Sequence, residues 1–192
     1  MRDLLEGNER FASGQAQGPR RRPDDFASLA TGQRPEAVIL GCADSRVPPE
    51  LVFDQGVGDL FVVRVAGNLV SEPGFKVNGS IEYAVAELGV PLIVVLGHTS
   101  CGAVKAAIAH IAARDALPGS IKPLVAALRP AVQRAKSQPG DLLANAIRAN
   151  VLLGVEFLRA LPPILAPAVK QGRVRVAGGV YDLATGRVGL VA

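Results

Sequence analysis

Apolar residues in this chain gather into short unbroken runs, separated by longer stretches in which they recur every three or four positions. The runs are Ala37 to Gly41 (AVILG), Phe61 to Val65 (FVVRV), Leu92 to Gly97 (LIVVLG) and Val174 to Ala177 (VRVA), as in strands buried on both faces of a parallel sheet. Helical spacing covers Ile81 to Leu88, Ala103 to Ala113, Ile121 to Lys136 and Leu142 to Leu161, with Gly and Pro as punctuation. Val180 to Val191 (VYDLATGRVGLV) reads as a hairpin turning at Thr185 and Gly186. The alternation predicts an α/β fold: one domain over residues 1–192, with a mostly parallel four-stranded sheet, an extra antiparallel C-terminal edge strand and flanking helices. No period of 20 to 50 residues repeats, which excludes a solenoid or propeller.

Composition narrows this little further. A chain of 192 residues builds one core and has no room for a second. With 49% hydrophobic and 20% charged residues it lies well away from the disordered corner. Its longest apolar stretches, such as Val90 to Gly97, are strand-length, short of the ~18 residues a membrane helix needs. Residues 1 to 12 (MRDLLEGNERFA) read as an amphipathic helix rather than a signal peptide. The expectation is therefore a cytoplasmic protein without a membrane span, an upstream targeting segment being left open. Net charge is +4, and the densest basic run, Arg20 to Arg22, has no stacking aromatics or binding motif beside it. It is expected to be a solvated loop, with no nucleic-acid partner.

The chemistry is concentrated in few residues. The chain has two cysteines, Cys42 and Cys101, and two histidines, His98 and His110. Cys42 follows one predicted strand and the pair His98 and Cys101 follows another, so all three fall at strand C-terminal ends, where open parallel sheets bind ligands. Two thiolates and an imidazole suit zinc, and three ligands leave one position open, as in catalytic rather than structural sites. Cys101 stands where a helix begins, which favours its thiolate. The competing reading is a pair of buried free cysteines; a thiol-redox pair is disfavoured because the two do not form C-x-x-C. Asp44 and Arg46 follow Cys42 closely, and a bidentate pair between them would keep the carboxylate ionised beside the metal. Asp44 would then accept a proton from bound water or fill the open position itself; an ordinary loop salt bridge is the competing reading. Two thiolates nearly cancel the zinc charge, so activity is expected to rise with pH from neutral to alkaline. His110, late in an Ala-rich helix, is expected to have a surface or capping role.

Cys42-x-Asp44-x-Arg46 combined with His98-x-x-Cys101 resembles the active-site signature of the beta-class carbonic anhydrases. The resemblance extends through Glu6 to Phe11, Gly58 to Arg64, Ala66-Gly67-Asn68, Gly79 to Ala84 and Gly178 to Asp182. It implies a carbonate dehydratase, a lyase that reversibly hydrates carbon dioxide to bicarbonate and a proton. Zn2+ would be held by Cys42, His98 and Cys101, with water or, in a closed state, Asp44 as fourth ligand. Hydroxide formed at zinc would attack carbon dioxide while Asp44 and Arg46 manage the proton. It also implies a plant-type pocket of Gln33, Phe61, Tyr83 and Gly102 near a dimer interface. The partner would be a second copy, in homodimers that sometimes pair into tetramers, with residues 1–35 as a helical arm clasping the partner. Departures from the common pattern are Val65, where many members have Asn, and a short N-terminal helix. Two other functions stay open on the same scaffold: hydrolysis of carbonyl sulfide or carbon disulfide, and non-catalytic binding of bicarbonate or protein with zinc retained.

Overall fold

In the computed structural model, which describes residues 1–70 and 75–192, the chain runs in order through α1 (Arg2–Ala12), α2 (Pro23–Leu29), β1 (Ala37–Gly41), α3 (Pro49–Val52), β2 (Leu60–Arg64), a 3-10 turn (Ala66–Asn68), α4 (Phe75–Ala86) and β3 (Leu92–His98). There follow α5 (Gly102–Ala113), α6 (Ile121–Lys136), α7 (Leu142–Ala160), α8 (Leu165–Lys170), β4 (Arg175–Tyr181) and β5 (Val188–Leu190). The strands form one sheet in the order β2-β1-β3-β4-β5, parallel throughout except for β5, which runs antiparallel on β4. The chain leaves β1 toward β2 on one side and returns to place β3 on the other, so the order reverses between β1 and β3.

Period-two alternation divides the core. Val38, Leu40, Ile93, Val95 and Val176 face one side, where they pack with residues of α4, α7 and α8 such as Ile81, Val151 and Leu165. Ala37, Ile39, Leu92, Val94 and Leu96 face the other, with Leu4, Val52 and Phe53. β1 and β3 are buried along their whole length, while β2 is half exposed and ends in an exposed Arg64.

The run Val174 to Ala177 and the first arm of the expected hairpin are a single strand, β4. Gly178 and Gly179 read as a break in the sequence, yet they stay in register with Val95 and Leu96. On one face α7 comes close: a Cβ at Gly178 would lie 2.7 Å from Val151 Cγ1, and one at Gly97 would lie 2.7 Å from Val151 Cγ2, while on the other face a Cβ at Gly179 would lie 3.0 Å from Val188 Cγ1. The short helices α2, α3 and α8 and the 3-10 turn have too few residues to show a period, and α4 begins six residues before Ile81 because Asn78 and Gly79 mask its start. The Arg20 to Arg22 run is not simply solvated: Arg20 forms an ion pair with Asp59, and Arg21 donates to the Gln55 carbonyl at 2.9 Å.

α1 is fastened to its own chain. Leu4 enters the core, and buried Asn8 donates to the carbonyls of Val52 (2.9 Å) and Gly186 (2.8 Å) while accepting from Val188 N–H (2.7 Å). Beyond it, the fully buried Asp54 carboxylate takes Arg10 Nε at 2.7 Å and the N–H groups of Gln17 (3.0 Å) and Gly18 (2.8 Å). Burial alone would raise the Asp54 pKa, but these donors outweigh it and the pKa is lowered.

Gly97→Ala is expected to cost roughly 1–3 kcal/mol in urea unfolding. Adding Val151→Ala should recover part of that loss, and strictly additive penalties would show that space is not the reason for the glycine. Asp54→Asn is expected to lose about 2 kcal/mol at neutral pH. Because the folded-state pKa lies below the unfolded value, the carboxylate's contribution is complete above roughly pH 4 and disappears as the pH falls through the lowered value. Wild type and variant should therefore converge in acid, as followed by thermal unfolding across pH.

Candidate metal centre

The reversal of strand order opens the sheet between the ends of β1 and β3, and the first residues beyond those ends carry the chemistry. Cys42 follows β1; His98 ends β3; Cys101 is the N-cap of α5, with φ −63° and ψ 118°. All three are buried, His98 completely, and their ligand-capable atoms lie within 4.8 Å of one another. The two sulfurs are 4.0 Å apart.

The histidine is prepared as a ligand. Its Nδ1 lies 2.9 Å from the Thr99 carbonyl, which makes Nδ1 the protonated nitrogen and leaves the lone pair on Nε2. Nε2 is buried with no hydrogen-bond partner among the described residues. A buried polar atom without a partner costs on the order of 1–3 kcal/mol, so a cation between Nε2 and the two sulfurs would remove a standing penalty. Sulfur and imidazole donors of this kind suit zinc.

The thiols behave as a coupled pair. Cys42 is lowered to about 4, first by its hydrogen bond with Cys101, against the cost of burial, with help from His98 and the Gly67 N–H. Cys101 is pushed up, first by the neighbouring Cys42 sulfur and then by burial, and the N–H groups of Val104 and Ala103 at the start of α5 do not offset this. The helix terminus thus supports Cys101 as expected, but the adjacent thiolate wins. A dication between the sulfurs would reverse that balance and hold both as thiolates.

Asp44 stands beside the cluster, with Oδ2 3.7 Å from His98 Nε2. Arg46 grips it through both oxygens, Nε to Oδ1 at 2.9 Å and Nη2 to Oδ2 at 2.7 Å, while the Arg46 N–H adds a third bond at 3.0 Å. This grip holds the Asp44 carboxyl well below the usual carboxylate range. Gly102 is the first, exposed residue of α5.

Gln33, Phe61 and Tyr83 lie elsewhere in the chain. Gln33 is exposed in the segment before β1, at the opposite edge of the sheet from Cys42, lining a cleft with Arg20, Gly58 and Asp59. Phe61 pairs with Val38 in β2, so Cys42 lies four residues further along the neighbouring strand, roughly 13 Å. Tyr83, on α4, is half exposed, and its ring lies 6.3 Å from that of Phe61. His110 pairs with Asp115 at 2.8 Å near the end of α5.

Three residues without an assigned role in the sequence touch the cluster's support. Arg64 donates to the Cys42 carbonyl at 2.9 Å and to the Asp44 carbonyl, bracing the loop from β2. Gly67 N–H donates to Cys42 Sγ at 3.3 Å, and Asn150 Nδ2 donates to the Gly67 carbonyl at 2.8 Å. Asn150 interrupts the apolar face of α7, the only advance sign it offers.

The family model described as carbonic anhydrase matches residues 37–188. "Carbonic anhydrase 2" of Mycobacterium tuberculosis is 44% identical over 184 residues, covering 96% of this chain and 87% of its own length. The carbonic anhydrase of Pseudomonas aeruginosa is 41% identical over 196 residues, covering 98% and 86%. Among solved structures, a tetrameric beta-carbonic anhydrase of Sordaria macrospora superposes with a TM-score of 0.80 at 28% identity, covering 98% of this chain and 94% of that one. An α/β sheet with a buried Cys/His/Cys cluster at its reversal point, together with these likenesses, defines the class as metal-dependent lyases of the carbonic anhydrase type. The chain belongs to the carbonic anhydrase family, in its beta class.

Zinc uptake should displace a proton, because the Cys101 thiol is pushed up by the neighbouring Cys42 sulfur and by burial and must ionise to bind. Calorimetry in buffers of different ionisation enthalpy is expected to give roughly one proton released per zinc at pH 7, with affinity rising as pH rises.

Proposed function

We propose that this chain reversibly hydrates carbon dioxide to bicarbonate and a proton at a zinc ion held by Cys42, His98 and Cys101. The observation that carries this reading is the unpartnered, fully buried Nε2 of His98 facing two sulfurs, with an ionised carboxylate 3.7 Å away. When bound, zinc supplies Lewis acidity and brings the pKa of a coordinated water toward neutrality. The protein's own contribution starts with Asp44: its Oδ2, beside the ligand cluster, takes up the proton that leaves the water. Arg46 fixes the direction of that carboxylate by holding both oxygens, and the same grip limits how far Asp44 swings toward the ligands, so it governs whether Asp44 serves as proton acceptor or as fourth ligand.

Carbon dioxide is small and apolar, and the proposed pocket wall is Phe61 and Tyr83, with the Gln33 amide donating to a developing carboxylate oxygen and Gly102 leaving room at the start of α5. Within one chain the aromatic pair lies well along β2 from the metal ligands, so the reading requires a second copy to bring Gln33, Phe61 and Tyr83 against this chain's metal. Several surfaces support such a homodimer: β2 is half exposed, α2 has no buried residue, and Phe26 and Tyr83 are respectively 48% and 49% exposed. In the clasp formed by residues 1–35, the reach belongs to the segment around α2, because α1 is fastened to its own chain. Pairing of dimers into a tetramer and a cytoplasmic location complete the proposal; among the described residues no helix is long and apolar enough to cross a membrane.

His98→Ala and Cys101→Ala are expected to lose bound zinc and stopped-flow hydration of carbon dioxide together, activity falling by at least ~100-fold. A zinc-free variant that kept its hydration rate would overturn the assignment.

A further inference from the structure

The turn Ala66–Asn68 passes directly behind the cluster, and its middle residue has the left-handed backbone that glycine adopts freely (Gly67, φ 75°, ψ 17°). That conformation aims the Gly67 N–H at Cys42 Sγ, 3.3 Å away, and turns its carbonyl toward α7. There Asn150, 8% exposed, donates to the carbonyl from Nδ2 at 2.8 Å, a bond closed across 83 positions of sequence. A Cβ on Gly67 would make ordinary contact with Ala103 and Leu128 at 3.4 Å, so the turn lies against α5 and α6.

Gly67 therefore links a helix side-chain amide to a ligand sulfur through two adjacent peptide groups, one giving its N–H and the next its carbonyl. A hydrogen bond on a thiolate withdraws electron density from it and fixes its direction, and groups that support metal ligands in this way commonly change affinity by 10–100-fold when removed.

We propose that Asn150 is a positioning residue for the metal centre: by holding the Gly67 carbonyl it fixes the conformation of the turn and so keeps the Gly67 N–H on the Cys42 sulfur, which both pre-places that ligand and moderates its charge. The inference rests on the zinc-site reading above, but not on the substrate being carbon dioxide.

The test compares wild type, Asn150→Leu and Asn145→Leu. Asn145 lies on the same helix and donates to the Pro139 carbonyl at 3.0 Å, away from the cluster, so it reports what loss of an ordinary side-chain to backbone bond does to α7. Zinc affinity is measured by chelator competition, and the cobalt-substituted proteins are compared by the thiolate-to-cobalt charge-transfer band. Asn150→Leu is expected to weaken zinc about tenfold and to move the band to lower energy, since an unbridled sulfur gives up its electrons more readily. Asn145→Leu should leave both as in wild type. Zinc affinity within twofold of wild type and an unmoved band in Asn150→Leu would overturn the inference and leave Asn150 as a fastening of α7 only. Should Asn150→Leu fail to fold, Asn150→Asp, the same size with the donor replaced by an acceptor, is put through the same comparison. Wild-type protein that takes up neither zinc nor cobalt would overturn this inference and the zinc-site reading together, which separates that failure from the first.

Discussion

A lone pair on His98 Nε2, buried and unmet by any donor, faces two sulfurs 4.0 Å apart in the gap where the sheet reverses its strand order. Proteins rarely leave such an atom without a partner, and the surrounding structure is arranged around it. The Thr99 carbonyl fixes the tautomer, the N-cap position of α5 directs Cys101 inward, and β1 delivers Cys42 from the neighbouring strand. Within the protein alone the Cys42 sulfur pushes the Cys101 thiol up, and a cation between the two would favour both as thiolates.

Support for this gap comes from two directions. Arg64 holds the carbonyls of the Cys42–Asp44 loop from the β2 side, and Asn150 reaches it from α7 through Gly67. Both are long-range ties between elements, and together they make the metal loop part of the rigid sheet and not a free surface turn. The same logic governs Asp44, whose carboxylate is aimed by the two-oxygen grip of Arg46, as the proposed proton transfer requires.

Much of this was legible in the sequence, for physical reasons. Strands buried on both faces must be continuous apolar runs, so β1 and β3 announced themselves, and the ligands stood immediately beyond them. The scarcity of Cys and His left little choice of donors. What stayed hidden had weak or cancelling signals. Gly178 and Gly179 looked like a break, but the missing side chains serve distant partners: Gly178 the approach of Val151 from α7, Gly179 that of Val188 from β5. The arginines at 20 and 21 read as solvent-facing because their partners, Asp59 and the Gln55 carbonyl, lie over thirty positions away. Asn150 and Arg64 act through backbone groups, which have no letter of their own in the sequence.

The separation of the two ligand loops also has a consequence in time. His98 follows Cys42 by 56 positions, and β1 joins β3 only after α3, β2 and α4 have intervened. At ordinary translation rates of ~5–20 residues per second, Cys42 emerges about 3–11 seconds before its imidazole partner. Through that interval it is a solitary thiol on a nascent chain, open to oxidants and to adventitious metals, and the three side chains come together only when the sheet closes.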